Sequence, residues 1–193
     1  MTQRLLGENK EKKRFSVLGD SLSTFEGYSE PAYAVFYDTA RKLASGVITY
    51  ADTWWGRVID ALGGELLVNN SFAGSTVCKR PDYEIPSYAC SDERTSALAK
   101  DGVLPDVVFV YVGTNDWGRG FRVRKDENEW EEDECVFSTA YDRMLKKLRK
   151  NYLMRRSIAL RLPSAKFPRI RLPCFRTRTA GSIWKNIATL SDR

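Results

Sequence analysis

The 193-residue chain contains no histidine. That removes the side chain that most often moves protons near neutral pH and a common nitrogen ligand of zinc. No segment approaches the roughly 20 apolar residues that cross a bilayer, so no transmembrane span is expected. Residues 1–14 alternate Lys, Arg and Glu around a single Leu5-Leu6 pair and lack the apolar stretch of a secretory leader, which points to a cytoplasmic protein. The four cysteines, Cys78, Cys90, Cys135 and Cys174, stand far apart with no C-x-x-C pair. This spacing argues for free, mostly buried thiols and against a disulfide framework or a zinc site. No metal and no cofactor are expected, and no internal repeat is present.

The charge is unevenly distributed. Residues 151–193 hold ten Lys or Arg and one acid, Asp192, whereas residues 1–150 hold 21 basic and 24 acidic residues. The net charge of +6 is therefore a property of the tail. Residues 1–14 read as a charged extension, 15–152 as one mildly acidic globular domain, and 153–193 as a basic tail without sustained periodicity.

Phe15 to Gly19 is a short apolar run ended by Gly-Asp-Ser, which reads as a buried strand leading into a loop. Asp52 or Thr53 can cap a helix carrying Trp54, Trp55, Val58, Ile59 and Leu62, and Gly63-Gly64 ends it. Glu65 to Asn70 is a second candidate strand, running into the small-residue loop 71–76. Ser91 to Lys100 suits a short helix. Asp106 to Val112 is nearly continuous in β-branched and aromatic residues, as in a strand covered on both faces. Val136, Phe137, Ala140, Tyr141, Met144, Leu145, Leu148 and Tyr152 form one helical stripe, with Arg143, Lys146, Lys147 and Arg149 on a face read as solvated. The charged run between Arg119 and Glu134 reads as a mobile surface loop, and Ser182 to Leu190 as a short helix. Strands alternating with helices imply an α/β fold with a mainly parallel sheet, whose ligands gather at the strands' carboxyl ends.

Three loops follow the three predicted strands: Gly19-Asp20-Ser21, Asn70 to Thr76 around Gly74, and Gly113-Thr114-Asn115-Asp116. A serine hydroxyl can act as a nucleophile, and the alkoxide formed in acyl transfer requires N–H donors fixed in advance. The backbone N–H groups of Ser21 and Gly74 and the side-chain amide of Asn115 are candidates for those donors. Singly, each motif suits a turn, a backbone requirement or a helix cap. In order, each at a strand terminus, they are far more specific.

At these residues the chain resembles the SGNH/GDSL serine hydrolase family. Phe15 to Leu22 resembles its first block, Asn70 to Gly74 its second, and Val110 to Asp116 its third. The resemblance implies a single three-layer α/β/α domain of flavodoxin-like topology, with an atypical C-terminal part. It also implies that Ser21 is the nucleophile, that Ser21, Gly74 and Asn115 are oxyanion donors, and that the substrate is a small ester, such as an acylated carbohydrate. The family's remaining block, Asp-x-x-His near the C-terminus, has no counterpart. The chain lacks histidine, and its tail holds no aspartate before Asp192.

The expectation is therefore a hydrolase-fold protein with severely reduced turnover. Lys166 and Lys185 are formal candidates for a replacement base, with nothing in the sequence to mark either as buried. A second reading is a non-catalytic domain that binds an acyl ligand. A third treats the basic tail, with Phe167, Phe175 and Trp184, as a contact for nucleic acid or an anionic membrane, although no obligate nucleic-acid partner is expected. The compositional break after Tyr152 predicts an altered reading frame beyond it. Sequencing the coding DNA tests this, and the absence of a better alternative frame would remove the idea.

Overall fold

The structure, a computed structural model, describes residues 11–80, 88–124 and 133–152, together with the backbone of 158–160. The apolar run after Arg14 forms strand β1 (Arg14–Gly19), buried from Phe15 onward. Strand β2 (Glu65–Ser71) pairs with one edge of β1 and strand β3 (Val107–Tyr111) with the other, both in parallel. A further parallel strand, β4 (Ile158–Leu160), pairs with Val108 to Val110, giving the order β2-β1-β3-β4. β4 thus places three residues of the segment read as an aperiodic tail inside the sheet.

Strand alternation divides the core between two faces. Leu18, Val108 and Val110 pack with Met144 and Leu148 of helix α5 (Phe137–Tyr152). Phe15, Val17 and Phe109 pack on the other side with Trp55 and Ile59 of helix α2 (Trp54–Ala61). Helices on both faces of a parallel sheet make the three-layer α/β arrangement that the sequence implied.

Local chemistry sets the helix ends. Thr53 rather than Asp52 caps α2, its hydroxyl oxygen accepting from the Gly56 N–H at 3.0 Å, and Gly63 leaves the helix at φ +63°. Asp52 instead accepts from the Thr49 N–H at 2.8 Å. A helix that the apolar pattern did not announce, α1 (Thr39–Ser45), is capped by Asp38 and ended by Gly46. It buries no residue and leaves Leu43 77% exposed, so it carries no stripe to read. The helix expected over Ser91 to Lys100 shortens to α3 (Asp92–Ser96), capped by Ser91.

The basic face of α5 is not simply solvated. Lys147 Nζ donates to the Cys90 carbonyl at 2.7 Å and pairs with Asp92 at 3.1 Å, while Arg143 reaches Glu134 at 3.4 Å. These contacts tie α5 to the segments around α3 and Glu134. Among the described residues no helix is long and apolar enough to cross a membrane. Cys78, Cys90 and Cys135 are free thiols. Cys174, Lys166, Lys185, the helix expected at 182–190 and most of the charged run before Glu134 lie outside the described residues.

Leu18 is fully buried on the central strand against α5. Leu18→Ala is expected to lower stability by about 2–5 kcal/mol, measured as a shift in the urea unfolding midpoint at unchanged slope.

Candidate active site

The sheet register brings the three loops together. Gly19, the last residue of the central strand, lies opposite Ser71 on β2 and Tyr111 on β3. Ser21, Gly74 and Asn115 each follow one of these strand ends within a few residues, and all three are half-buried at the carboxyl edge of the sheet. The chain crosses closely there: Asp20 N–H donates to the Tyr111 carbonyl at 3.1 Å and Phe72 N–H to the Gly19 carbonyl at 3.2 Å. A Cβ on Gly19 would come within 2.5 Å of Ser23 Cβ, so only glycine fits this crossing.

Ser21 opens a short 3₁₀ turn (Ser21–Ser23) capped by Asp20, whose carboxylate accepts from the Leu22 N–H at 3.1 Å. The far end of the turn is pinned from below. Trp55 Nε1 at 3.0 Å and Asn69 Nδ2 at 2.8 Å both donate to the Ser23 carbonyl, and Trp54 Nε1 donates to Ser23 Oγ at 3.1 Å. Gly74 has φ +85° and open space where a side chain would stand. Conformation, rather than a close neighbour, requires glycine at that position.

The donor pattern is selective. In the Ser21 turn, the N–H groups of Asp20, Leu22, Ser23 and Thr24 all have acceptors. In the glycine loop, those of Phe72, Ala73 and Ser75 do too. Among the described residues, the N–H groups of Ser21 and Gly74 donate to nothing. Asn115 Nδ2 uses one hydrogen on the Ser75 carbonyl at 2.8 Å, which turns its amide toward the glycine loop and leaves the second hydrogen for another acceptor. No lysine or carboxylate among the described residues is hydrogen-bonded to the Ser21 hydroxyl.

Three buried charged side chains, not singled out as functional by the sequence, organise the loops. Arg94 of α3 has no exposed surface. Its guanidinium donates to the Gly19 carbonyl at 3.2 Å, the Asn70 carbonyl at 2.8 Å, Ser75 Oγ at 3.0 Å and Asn70 Oδ1. Burial pushes its pKa down to about 10, which leaves it cationic at neutral pH. Asp116, in the short helix α4 (Thr114–Gly118), accepts from the N–H groups of Val77 at 2.8 Å and Cys78 at 2.9 Å. Burial raises its pKa and these hydrogen bonds oppose the rise. Burial, reinforced by the nearby Asp116, pushes the Asp20 carboxyl up to about 6. An arginine in a short polar helix and aspartates in turns carry no sequence signal of burial.

A cavity of about 440 Å³ opens beside Leu22, lined by Tyr37, Val47, Thr53, Trp54, Arg57 and Tyr111 among others. The Trp54 and Tyr111 rings form one wall, their centroids 5.1 Å apart.

Loops gathered at the carboxyl edge of a parallel sheet with helices on both faces define an α/β protein. The family model of GDSL-like lipase/acylhydrolase matches residues 13–160, and the chain belongs to that family. The match runs past Tyr152 to the end of β4. Among solved structures, a candidate GDSL-like lipase from Bacteroides ovatus shares 31% identity at a TM-score of 0.66, over 80% of this chain and 74% of that one. Another from Bacteroides uniformis shares 29% at 0.67, over 93% and 81%. A carbohydrate esterase family 2 enzyme with a carbohydrate-binding domain, from Corynascus thermopiles, shares the fold at 16% identity and a TM-score of 0.50, over 93% of this chain and 54% of that one. No curated protein matches the chain.

Arg94→Met would leave several buried acceptors without their donor. A loss of about 3 kcal/mol or more is expected in urea unfolding.

Proposed function

We propose that the chain hydrolyses a small ester through an acyl-Ser21 intermediate, at a rate severely limited by the missing histidine. The observation that carries this reading is the donor pattern: in two adjoining loops whose neighbouring N–H groups are committed, those of Ser21 and Gly74 are not. With the spare Asn115 hydrogen they can receive an oxyanion. Ser21 Oγ attacks the ester carbonyl carbon, its proton passes to water, and the carbonyl oxygen takes the negative charge. Collapse breaks the ester C–O bond and releases the alcohol, which takes up a proton from water. A second water then cleaves the acyl-serine and restores the hydroxyl. The cavity beside Leu22 offers room for one substituent of the ester. The likeness to a carbohydrate esterase rests on fold alone, so an acylated carbohydrate remains one candidate among small esters.

The absence of histidine favours a second reading, a domain that binds an acyl ligand without turning it over. The basic-tail reading concerns residues outside the described part of the structure. Loss of the base in serine triads lowers turnover by roughly 10⁴- to 10⁶-fold while leaving residual catalysis by the oxyanion donors.

Turnover of p-nitrophenyl acetate is therefore expected to be slow, and Ser21→Ala is expected to lower it further. An efficient Ser21-dependent rate would overturn the impairment. A slow rate unchanged by Ser21→Ala would overturn the acyl-serine route and favour the binding reading.

A further inference from the structure

The cavity beside Leu22 has about 440 Å³ of space. Small-molecule sites span about 300–1,000 Å³, so it is large enough for a single ring and its substituents. It stands against the Ser21 turn: the Tyr111 carbonyl accepts from Asp20 N–H at 3.1 Å, Leu22 follows Ser21, and Trp54 Nε1 donates to Ser23 Oγ at 3.1 Å. One wall is aromatic. The Trp54 ring lies 5.1 Å from that of Tyr111 and 5.8 Å from that of Phe109, which holds it from behind within the core. Tyr37, Val47 and Leu22 extend the lining.

Three polar groups of this lining are already committed to the protein. Thr53 Oγ1 donates to the Tyr50 carbonyl at 2.6 Å and accepts from Gly56 N–H at 3.0 Å. Asp52 Oδ2 accepts from Thr49 N–H at 2.8 Å, Thr49 Oγ1 at 2.9 Å and Ile48 N–H at 3.2 Å. The Trp54 indole N–H is taken by Ser23. Arg57 differs. Its side chain is 71% exposed, and its guanidinium stands 3.9 Å from Asp52 Oδ1, too far for a hydrogen bond. A guanidinium carries five donors in a planar fork that matches the two oxygens of a carboxylate. A pyranose entering the cavity would bring several hydroxyls that need partners once buried, where three polar groups are already spent. A flat ring bearing a carboxylate fits better: its face packs on Trp54 and Tyr111 while its anion meets Arg57.

We propose that this cavity binds an aryl carboxylate, and that Arg57 selects, among small esters, those with a substituent carrying that anion. Ester selection rests on the acyl-Ser21 reading, but occupancy of the cavity does not. With 4-acetoxybenzoate, Ser21 Oγ bonds to the acetyl carbon and its proton passes to water. The bond from that carbon to the phenolic oxygen breaks, and 4-hydroxybenzoate leaves with a proton taken from water.

The test is made in a Ser21→Ala background, so that it is independent of turnover. The full chain is titrated with 4-hydroxybenzoate and, separately, with the neutral 4-hydroxybenzamide and with methyl glucoside, followed by ¹H–¹⁵N NMR. The Trp54 indole N–H signal is assigned by its loss in Trp54→Phe and the Arg57 Nε–H signal by its loss in Arg57→Gln. 4-Hydroxybenzoate is expected to shift both signals and to bind about fivefold more tightly than the amide, as one partly exposed ion pair allows. Arg57→Gln is expected to remove that preference, and Arg57 is exposed enough for the variant to fold. Both signals unmoved by 4-hydroxybenzoate, equal affinity for acid and amide, tighter binding of methyl glucoside at the same signals, or a preference that survives in Arg57→Gln would overturn the proposal. An inert Ser21 in the esterase assay would leave all these readouts unchanged, and a Ser21-dependent rate without binding in the cavity would overturn the cavity assignment alone.

Discussion

A guanidinium buried behind the sheet's carboxyl edge is the contact on which the site depends. Arg94 bonds the end of β1 through the Gly19 carbonyl, the end of β2 through Asn70, and the glycine loop through Ser75. Strand pairing alone aligns Gly19 with Ser71 and Tyr111, but it says nothing about the chain beyond those residues. Loops leaving a sheet normally satisfy their polar groups with water. Here one rigid, planar donor set gathers acceptors from three segments, and its fork geometry fixes their relative positions in a way a lysine's single ammonium could not. The Ser21 and Gly74 N–H groups remain uncommitted because the backbone around them is already held.

The parts of the fold legible in the sequence were those with a period or a cap. Phe15 to Gly19 and Val107 to Tyr111 are apolar because both faces of the sheet are covered, so strands β1 and β3 announce themselves. Helix α5 carries a stripe because one side meets the sheet. Helix α1 buries nothing and leaves no trace beyond Asp38 and Gly46. The basic face of α5 misled for a related reason: a lysine that reaches a neighbouring carbonyl has the same sequence signature as one in water, and Lys147 does the former. The break placed after Tyr152 was a change of charge and composition. Strand β4 lies just beyond it, because a three-residue strand needs only backbone pairing and is too short to show periodicity.

The site divides in the same way. Ser21, Gly74 and Asn115 were proposed because three short motifs each end a strand, and topology brings their loops to one edge. The reason glycine is needed at 74 was not legible. Its surroundings are open, and the demand comes from φ +85°. Arg94, Asp20 and Asp116 were invisible as buried charges, since burial of a charged side chain is decided by elements distant in sequence. The absent histidine was the clearest feature of the sequence, and the loops proposed to form the site are held without it. The donors are held by Arg94, Asp116 and the pinned Ser23 carbonyl, all within described loops and none reliant on an imidazole.

The sign of the buried charges bears on what such a site can still do. An oxyanion forming between Ser21 and Asn115 would develop negative charge near Asp116, an interaction that opposes the transition state in proportion to the dryness of the site. Arg94 acts in the opposite direction: it polarises the Gly19 carbonyl, and its positive charge lies behind the same loops. In the proposed ester hydrolysis the buried Arg94 guanidinium therefore offsets the charge of Asp116 behind the loops where an oxyanion would form.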